Sequence, residues 1–479
     1  MNYRMIARIL GYILLAEAVL LLLPLLVTVI YGEAKLPFLL TVAGCAVCGG
    51  ALCAVPQQSR IFYARDGFFV VSAGWILMSL FGALPFYFSG EVSSFIDCLF
   101  ETVSGLTTTG SSILPDVEAL SRGLLFWRSF THWIGGMGVL VFIMAVLPLS
   151  NEHSMHMMRA EMPGPTVGKL VPRTRDTALW LYVIYLGLTV LEAVFLLCGG
   201  MPLFDSITHA FSTAGTGGFS IKNAGIAAYG SDYLTMVVAA FMLLFGVNFN
   251  LYFLLLMREY KAAFRNRELH VYLGLIGGAT ALIVWNILPQ MQNFWTAFRE
   301  AFFHVASLIT STGFINADYE QWPVFSQSIL LFLMVVGACA GSTGGGIKVV
   351  RLMMLLKKLA RDLRRMICPR SVSTFKMDGK RVDEDTVSGV ETFFIAYIAV
   401  VMLSMLLLSL NGYGIQDNLA MSVSCMSNIG PGLGAFGPTE NWAALSGAAK
   451  LWLSFVMLLG RLEIFPLLLC LNPGMYRKK

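Results

Sequence analysis

Charge is scarce in this sequence. Asp, Glu, Lys and Arg make up 13% of its 479 residues, against about 25% in a typical soluble domain. That scarcity excludes an ordinary water-soluble fold. Catalytic constellations are missing too: the long apolar segments hold neither paired carboxylates nor a metal-ligating cluster, which argues against a membrane enzyme. His153 and His156 stand in a polar loop without thiolate or carboxylate company at ligand spacing. Cys45 and Cys48, three apart on an expected membrane helix, read as small packing residues rather than part of a metal site. Gly215-Thr216-Gly217 follows no strand, so it is no dinucleotide-binding turn. Gly341–Lys348 is no phosphate-binding loop either, since Ile347 separates Gly346 from Lys348. The first apolar run is long and lacks a small-residue cleavage site, so Met5–Tyr31 reads as a retained helix and not a signal peptide.

What the chain has in abundance is apolar sequence, 57% of its residues, with a mean hydropathy of +0.72. The solvent for most of this surface is lipid. Ten segments approach the roughly 20 residues that a spanning helix needs. They are Met5–Tyr31, Leu36–Val55, Gly67–Phe88, Leu124–Leu149, Thr177–Gly199, Leu234–Met257, Val271–Leu288, Val324–Leu356, Val387–Leu410 and Ala444–Leu471. With both termini in the cytoplasm, most Lys and Arg fall in cytoplasmic segments, as the positive-inside rule expects. The densest stretch, 348–381, is either a topology signal or a surface for a partner or for anionic lipid.

Between the spans lies a fourfold repeat. Aligning the chain on Gly110, Gly218, Gly313 and Gly430 brings other positions into register. Thirteen residues upstream stand Asp97, Asp205, Glu300 and Asp417, all acidic. Six upstream is serine each time: Ser104, Ser212, Ser307 and Ser424. Two upstream are Thr108, Thr216, Ser311 and Asn428, small and polar. The residues between are Thr109, Gly217, Thr312 and Ile429. The repeating unit is span, short helix, glycine loop, span. It divides the chain into two amino-terminal helices in 1–58 and repeats in 59–150, 151–262, 263–368 and 369–479. The fold class is therefore all-α integral membrane, four such repeats around one pore plus two extra helices.

The unit has a physical rationale. A helix of about ten residues is about 15 Å long, half a hydrocarbon core. An acidic residue near its start suits the positive helix end, and its carboxyl end then points a negative dipole at the membrane centre. Irregular backbone at that depth is tolerated only where it is buried in protein or lines a watery cavity. Four such loops around an axis offer carbonyl oxygens that can replace the hydration shell of a cation. Outside them, twelve acidic residues including Glu91, Glu101, Asp116, Glu118, Asp232 and Glu440 face Arg122, Lys222, Arg299 and Lys450, so an acidic vestibule is expected.

Two features lie below the loops. Val324–Leu356 contains five glycines within Gly337–Gly346, each costing a helix about 1 kcal/mol relative to alanine. The run serves either close helix packing or an unwound segment under the loops, and the glycine density favours the second. Arg461 sits deep in the last span, where a charge costs about 2.5–3.5 kcal/mol or more. It acts either as an electrostatic barrier against the pore carbonyls or as an anchor for a neighbouring helix.

The residues resemble the Trk/Ktr/HKT superfamily of potassium transporters, and most closely its Trk-type membrane subunits, which carry two helices ahead of the fourfold repeat. The likeness rests on Trp133–Gly138, the four glycine loops, Ala340–Lys348 and Gly460–Glu463. It implies potassium uptake across a bacterial cytoplasmic membrane, with K+ held at Thr108, Thr109, Gly110, Thr216, Gly217, Gly218, Ser311, Thr312, Gly313, Asn428, Ile429 and Gly430. Relatives with serine at the first glycine position tend to favour sodium. The same resemblance implies a gate of Gly341, Ser342, Thr343, Gly344, Gly345, Gly346 and Lys348 together with Arg461. It further implies a homodimer, cytosolic Rossmann-type nucleotide-binding regulatory subunits, and no cofactor or nucleic acid bound by this chain. A less selective Na+/K+ carrier or a proton-coupled one is the alternative. Pro431, directly after the fourth glycine, departs from the family pattern and stiffens that corner.

Overall fold

A computed structural model of the chain describes residues 1–56, 63–138, 174–291, 293–369, 374–377 and 380–476. Arg60, His153, His156, the 139–149 end of the expected span Leu124–Leu149 and the Arg477–Lys479 cluster lie outside the described residues. Within them the chain is helical, apart from the paired two-residue strands Lys376–Met377 and Lys380–Arg381.

The first expected span forms as two nearly continuous helices, Tyr3–Leu20 and Leu22–Tyr31. Gly32, in the left-handed region at φ 71°, ends it. Helix Leu36–Cys53 packs against this rod through small residues. A Cβ on Gly11 would meet the Gly49 carbonyl oxygen at 2.8 Å, so alanine there would push the two backbones apart. The pair lies against the first repeat, on helices Ala64–Gly82 and Arg122–Met137.

Four times over, an outer helix is followed by a short helix, an irregular loop and an inner helix. The outer helices are Ala64–Gly82, Thr174–Cys198, Arg267–Met291 and Glu384–Leu408. The short helices are Phe95–Leu106, Leu203–Gly215, Phe294–Ile309 and Ile415–Ser427. At 12 residues the first is about 18 Å long, too short to cross a bilayer. Its buried end, Glu101 through Leu106, is the carboxyl end, and the other three likewise bury their last turns.

The inner helices differ from expectation. Leu234–Met257 is not one rod: Asp232–Phe245 and Phe249–Leu256 meet at an 89° bend. Val324–Leu356 divides into Val324–Val336 and Val349–Ile367 around irregular backbone. Ala444–Leu471 divides into Gly447–Arg461 and Phe465–Leu471, with Glu463 and Ile464 at positive φ between them. In the described residues the first inner helix, Arg122–Met137, also stops, at Gly138 with φ 81°. All four inner helices thus end at one stage of the repeat, beneath the loops. The cause in the second is tertiary, since the Phe249 N–H bonds the Gly341 carbonyl of the third repeat rather than continuing its own helix.

One expected placement fails for the short helices. Asp97, Asp205 and Asp417 stand in first turns. Glu300 does not: its helix begins at Phe294, capped by the Asn293 side chain on the Trp295 N–H. Glu300 lies a turn deeper, where it pairs with Arg299 at 2.7 Å and accepts both Asn316 Nδ2 hydrogen bonds.

Candidate functional site

Each short helix ends in the same turn. Thr108, Thr216, Ser311 and Asn428 all adopt the left-handed conformation, with φ between 54° and 56°. Threonine is a rare occupant of that region, because its branched Cβ crowds the carbonyl. Such strain, on the order of 1–3 kcal/mol per residue, persists where surrounding contacts enforce it. Those contacts come from the backbone of the residue six before each glycine, and in the third and fourth repeats the serine hydroxyl there adds a bond to its own loop, Ser307 Oγ to the Phe314 carbonyl and Ser424 Oγ to that of Gly430. The Ser104, Ser212, Ser307 and Ser424 carbonyls accept the N–H of Thr109, Gly217, Thr312 and Ile429 at 2.8, 2.9, 2.8 and 3.0 Å. This is the six-to-one bond of a Schellman helix terminus. In the first three loops the left-handed residue also bonds back three residues, as Thr108 N–H does to the Gly105 carbonyl at 3.1 Å.

The four glycines follow at φ 84°, 77°, 76° and 101°. Their neighbours reveal a closed ring. A Cβ on Gly110 would strike the Gly217 carbonyl oxygen, one on Gly218 that of Thr312, one on Gly313 that of Ile429, and one on Gly430 that of Thr109. All four contacts fall below the 3.0 Å that real Cβ atoms respect. The equivalent carbonyl of each loop therefore stands beside the preceding loop's glycine, in the order one, two, three, four and back to one. Side chains seal the junctions. Asn428 Nδ2 donates to Thr109 Oγ1 at 3.0 Å, Ser111 Oγ to the Gly430 carbonyl at 3.1 Å, and Tyr319 Oη to the Gly432 carbonyl at 3.0 Å. The four glycines line the floor of one outward cavity of about 170 Å³.

Beneath the ring lies the glycine run of the third inner helix. Gly345 N–H donates to Ser311 Oγ, and a Cβ on Gly345 would strike the Ser427 carbonyl. Gly344 abuts the Thr310 carbonyl in the same way. Thr343 Oγ1 donates to the Phe245 carbonyl at 3.2 Å. The segment so touches backbone from the second, third and fourth repeats at once. Lys348, buried and at φ 80°, folds its ammonium back onto the Gly344 carbonyl, while Ser342 Oγ caps the Cys339 carbonyl at 2.6 Å. Arg461 reaches this segment from the last inner helix. Its Nη1 donates to the Thr343 carbonyl at 2.9 Å, and its Nη2 to the Gly136 carbonyl at 2.6 Å and to that of Gly135. One guanidinium fork therefore ties the glycine segment to the end of the first inner helix.

The structure brings together every residue named from the sequence for the loops and the segment below them. The expected acidic vestibule forms only in part: Asp318, Glu320, Asp417 and Glu440 lie near enough together for their charges to act on Glu320, while other carboxylates are paired with cations. Asp97 pairs with Lys450 at 2.7 Å, Glu118 with Lys222 at 2.8 Å, and Asp232 and Glu300 with Arg299. Glu101 is buried against Arg128 at 2.6 Å. These paired carboxylates fix loops and neighbouring cations, and of the acidic residues named Glu440 lines the outer cavity, with Arg128 and Lys222.

Sequence reasoning missed three groups. Glu268 accepts the Ala340 and Val350 N–H at 2.7 and 3.2 Å, and so holds both ends of the glycine segment. Arg351 pairs with Glu463, which explains why Glu463 leaves Arg461 to the carbonyls. Arg128 carried a signal, an arginine inside the expected span Leu124–Leu149. For Glu268, a carboxylate at the mouth of a span, the signal is weaker.

A family model described as TrkH, cation transport protein, matches residues 38–277 and 288–474. The Trk system potassium uptake protein TrkH of Salmonella typhimurium is 36% identical over 487 residues, covering 100% of each chain. The Trk system potassium uptake protein TrkG of Escherichia coli is 33% identical, covering 99% of each. The crystal structure of the potassium transporter TrkH from Vibrio parahaemolyticus superimposes with a TM-score of 0.89 at 33% identity, over 100% of both chains.

Proposed function

Because this chain belongs to the TrkH family of cation transport proteins, we propose that it takes up potassium ions across a bacterial inner membrane, through the ring of four loops. The observation that carries this reading is the closed succession of equivalent carbonyls, Thr109, Gly217, Thr312 and Ile429, each set beside the preceding loop's glycine. A cation entering the outer cavity sheds water and is held instead by backbone oxygens of the filter residues. The carboxyl ends of four short helices converge beneath it, each carrying about half a negative charge, which favours a cation and repels an anion. Strained left-handed residues behind each glycine keep those oxygens from relaxing toward their own helix.

Gly341–Gly346 serves as the gate, lying across the path under the filter. Arg461 and Lys348 place two positive charges there, and both must be displaced or bypassed for an ion to pass. Movement of the segment is controlled from the cytoplasm by Rossmann-type regulatory subunits, and the chain works as a homodimer with one pore per protomer and both termini inside. It uses no cofactor of its own; K+ is cargo. The experiment is rubidium influx into liposomes that hold the purified protein, with sodium as competitor. Protein-dependent rubidium influx that sodium inhibits poorly supports the reading, and absence of influx rejects it.

A further inference from the structure

In three of the four repeats the ninth residue before the filter glycine braces the descending arm of its own loop. In the second and third repeats it is a histidine. His209 Nε2 lies 3.2 Å from Ser220 Oγ, and His304 Nε2 accepts the Ala317 N–H at 3.4 Å. In the fourth it is Met421, which offers no such bond. In the first repeat it is Glu101, whose carboxylate accepts Ser112 Oγ at 3.0 Å and the Ile113 N–H at 3.0 Å. Only at this position does the brace carry a charge, and the charge is buried, with the Glu101 side chain 0% and the Arg128 side chain 3% exposed.

Arg128 turns that brace into a link between loops. Its Nε donates to Glu101 at 2.6 Å and its Nη1 to the Ser220 carbonyl of the second loop at 2.8 Å. The guanidinium also lies 3.5 Å from the centroid of the Phe219 ring, directly after filter residue Gly218. Phe219 is fixed from below, where its N–H donates to His132 Nε2 at 3.2 Å and His132 Nδ1 meets the Gly105 carbonyl at 2.7 Å. At the fourth-to-first and third-to-fourth junctions the loops meet through the neutral hydrogen bonds of Asn428, Ser111 and Tyr319; at the first-to-second junction the contact to the Ser220 carbonyl comes from Arg128, a charge held by Glu101 inside the first repeat. A carboxylate and a planar fork hold position more tightly than neutral partners, since charge-assisted bonds are shorter and about twice as strong.

We infer that the Glu101–Arg128 pair is a positioning device for ion discrimination: it sets the spacing between the first and second filter loops and thereby the fit of the carbonyl ring to potassium over sodium. This rests on the ring being the filter. Neither residue touches the ion; both act through Ser112, Ile113, Phe219 and Ser220. Potassium and sodium differ by a few tenths of an ångström in radius, so a small change in loop spacing alters selectivity before it alters the fold.

The test compares the parent with Arg128→Lys and with the double variant Glu101→Met/Arg128→Met, in liposomes, by the sodium concentration that halves rubidium influx per folded protein. Replacing a whole buried pair by apolar residues commonly preserves stability, so the double variant separates positioning from folding. In it, sodium is expected to compete about tenfold better, the consequence of losing one charge-assisted bond from the frame. Arg128→Lys, which keeps the charge but not the fork, is expected to fall between the double variant and the parent. A double variant as thermally stable as the parent and equally selective overturns the inference. If the double variant does not fold, parental selectivity in Arg128→Lys overturns it. Absence of influx in the parent would instead reject the transport reading itself.

Discussion

Replacing Arg461 gives the most informative single perturbation. Its two terminal nitrogens engage three carbonyls, Thr343 on the glycine segment and Gly135 and Gly136 on the first inner helix. Of these, the Thr343 bond is the one that the proposed opening of the segment would break. A hydrogen bond to a charged group contributes about 1.5–3 kcal/mol, so its loss shifts the closed-to-open balance roughly 10- to 150-fold. Arg461→Gln and Arg461→Ala should therefore raise basal rubidium uptake about tenfold or more. Arg461→Lys keeps the positive charge but reaches fewer carbonyls, and its uptake should rise less. The assay is rubidium influx into liposomes normalised to folded protein, beside thermal stability in detergent. An anchor predicts the reverse pattern. If both neutral variants lose uptake and stability together, Arg461 holds helices in place and the barrier argument is refuted.

Gly110→Ser places a side chain where φ is 84° and the Gly217 carbonyl already sits; the protein should fold, and sodium should compete several-fold better with rubidium, on the order of 1 kcal/mol of lost discrimination. Unchanged competition would remove this loop from the filter. Deleting Gly341–Gly346 withdraws the segment that abuts the Thr310 and Ser427 carbonyls, and basal rubidium influx should rise above the parent; a folded deletion variant that conducts no better would mark the run as packing. Trp127→Phe removes the bond from Trp127 Nε1 to the Gly82 carbonyl, 2.9 Å long in a fully buried setting, at a cost of about 1–3 kcal/mol. A lowered melting midpoint with parental sodium competition is expected, and an altered competition would contradict the separation of scaffold from filter.

The fourfold repeat was legible because its chemistry is carried by the backbone. Glycine at positive φ and serine at the helix end recur at fixed spacing, and spacing is what a sequence displays. The break in the third inner helix was legible for a related reason: five glycines in ten residues contradict a continuous helix whatever surrounds them. The bend after Phe245 was not, since Gly246-Val247-Asn248 contains a single glycine and the turn is enforced by Gly341 from another repeat. Positive φ at Glu463 and Ile464 likewise has no local cause in residue type. The outer charges were legible only in part, because counting carboxylates says nothing about their partners: Lys450 is 353 positions from Asp97 in sequence and 2.7 Å from it in space. Glu300 kept the repeat's register yet changed its place, because the third short helix starts a turn earlier.

The central claim is that four equivalent carbonyls form one potassium-selective ring, and sodium competition measured side by side on the single variants Gly110→Ala, Gly218→Ala, Gly313→Ala and Gly430→Ala tests it most directly. Each adds one methyl against the carbonyl of the neighbouring loop. The account predicts that all four weaken discrimination of rubidium against sodium in folded protein. Weakened discrimination in one or two, with parental selectivity in the others, would contradict a ring to which every loop contributes.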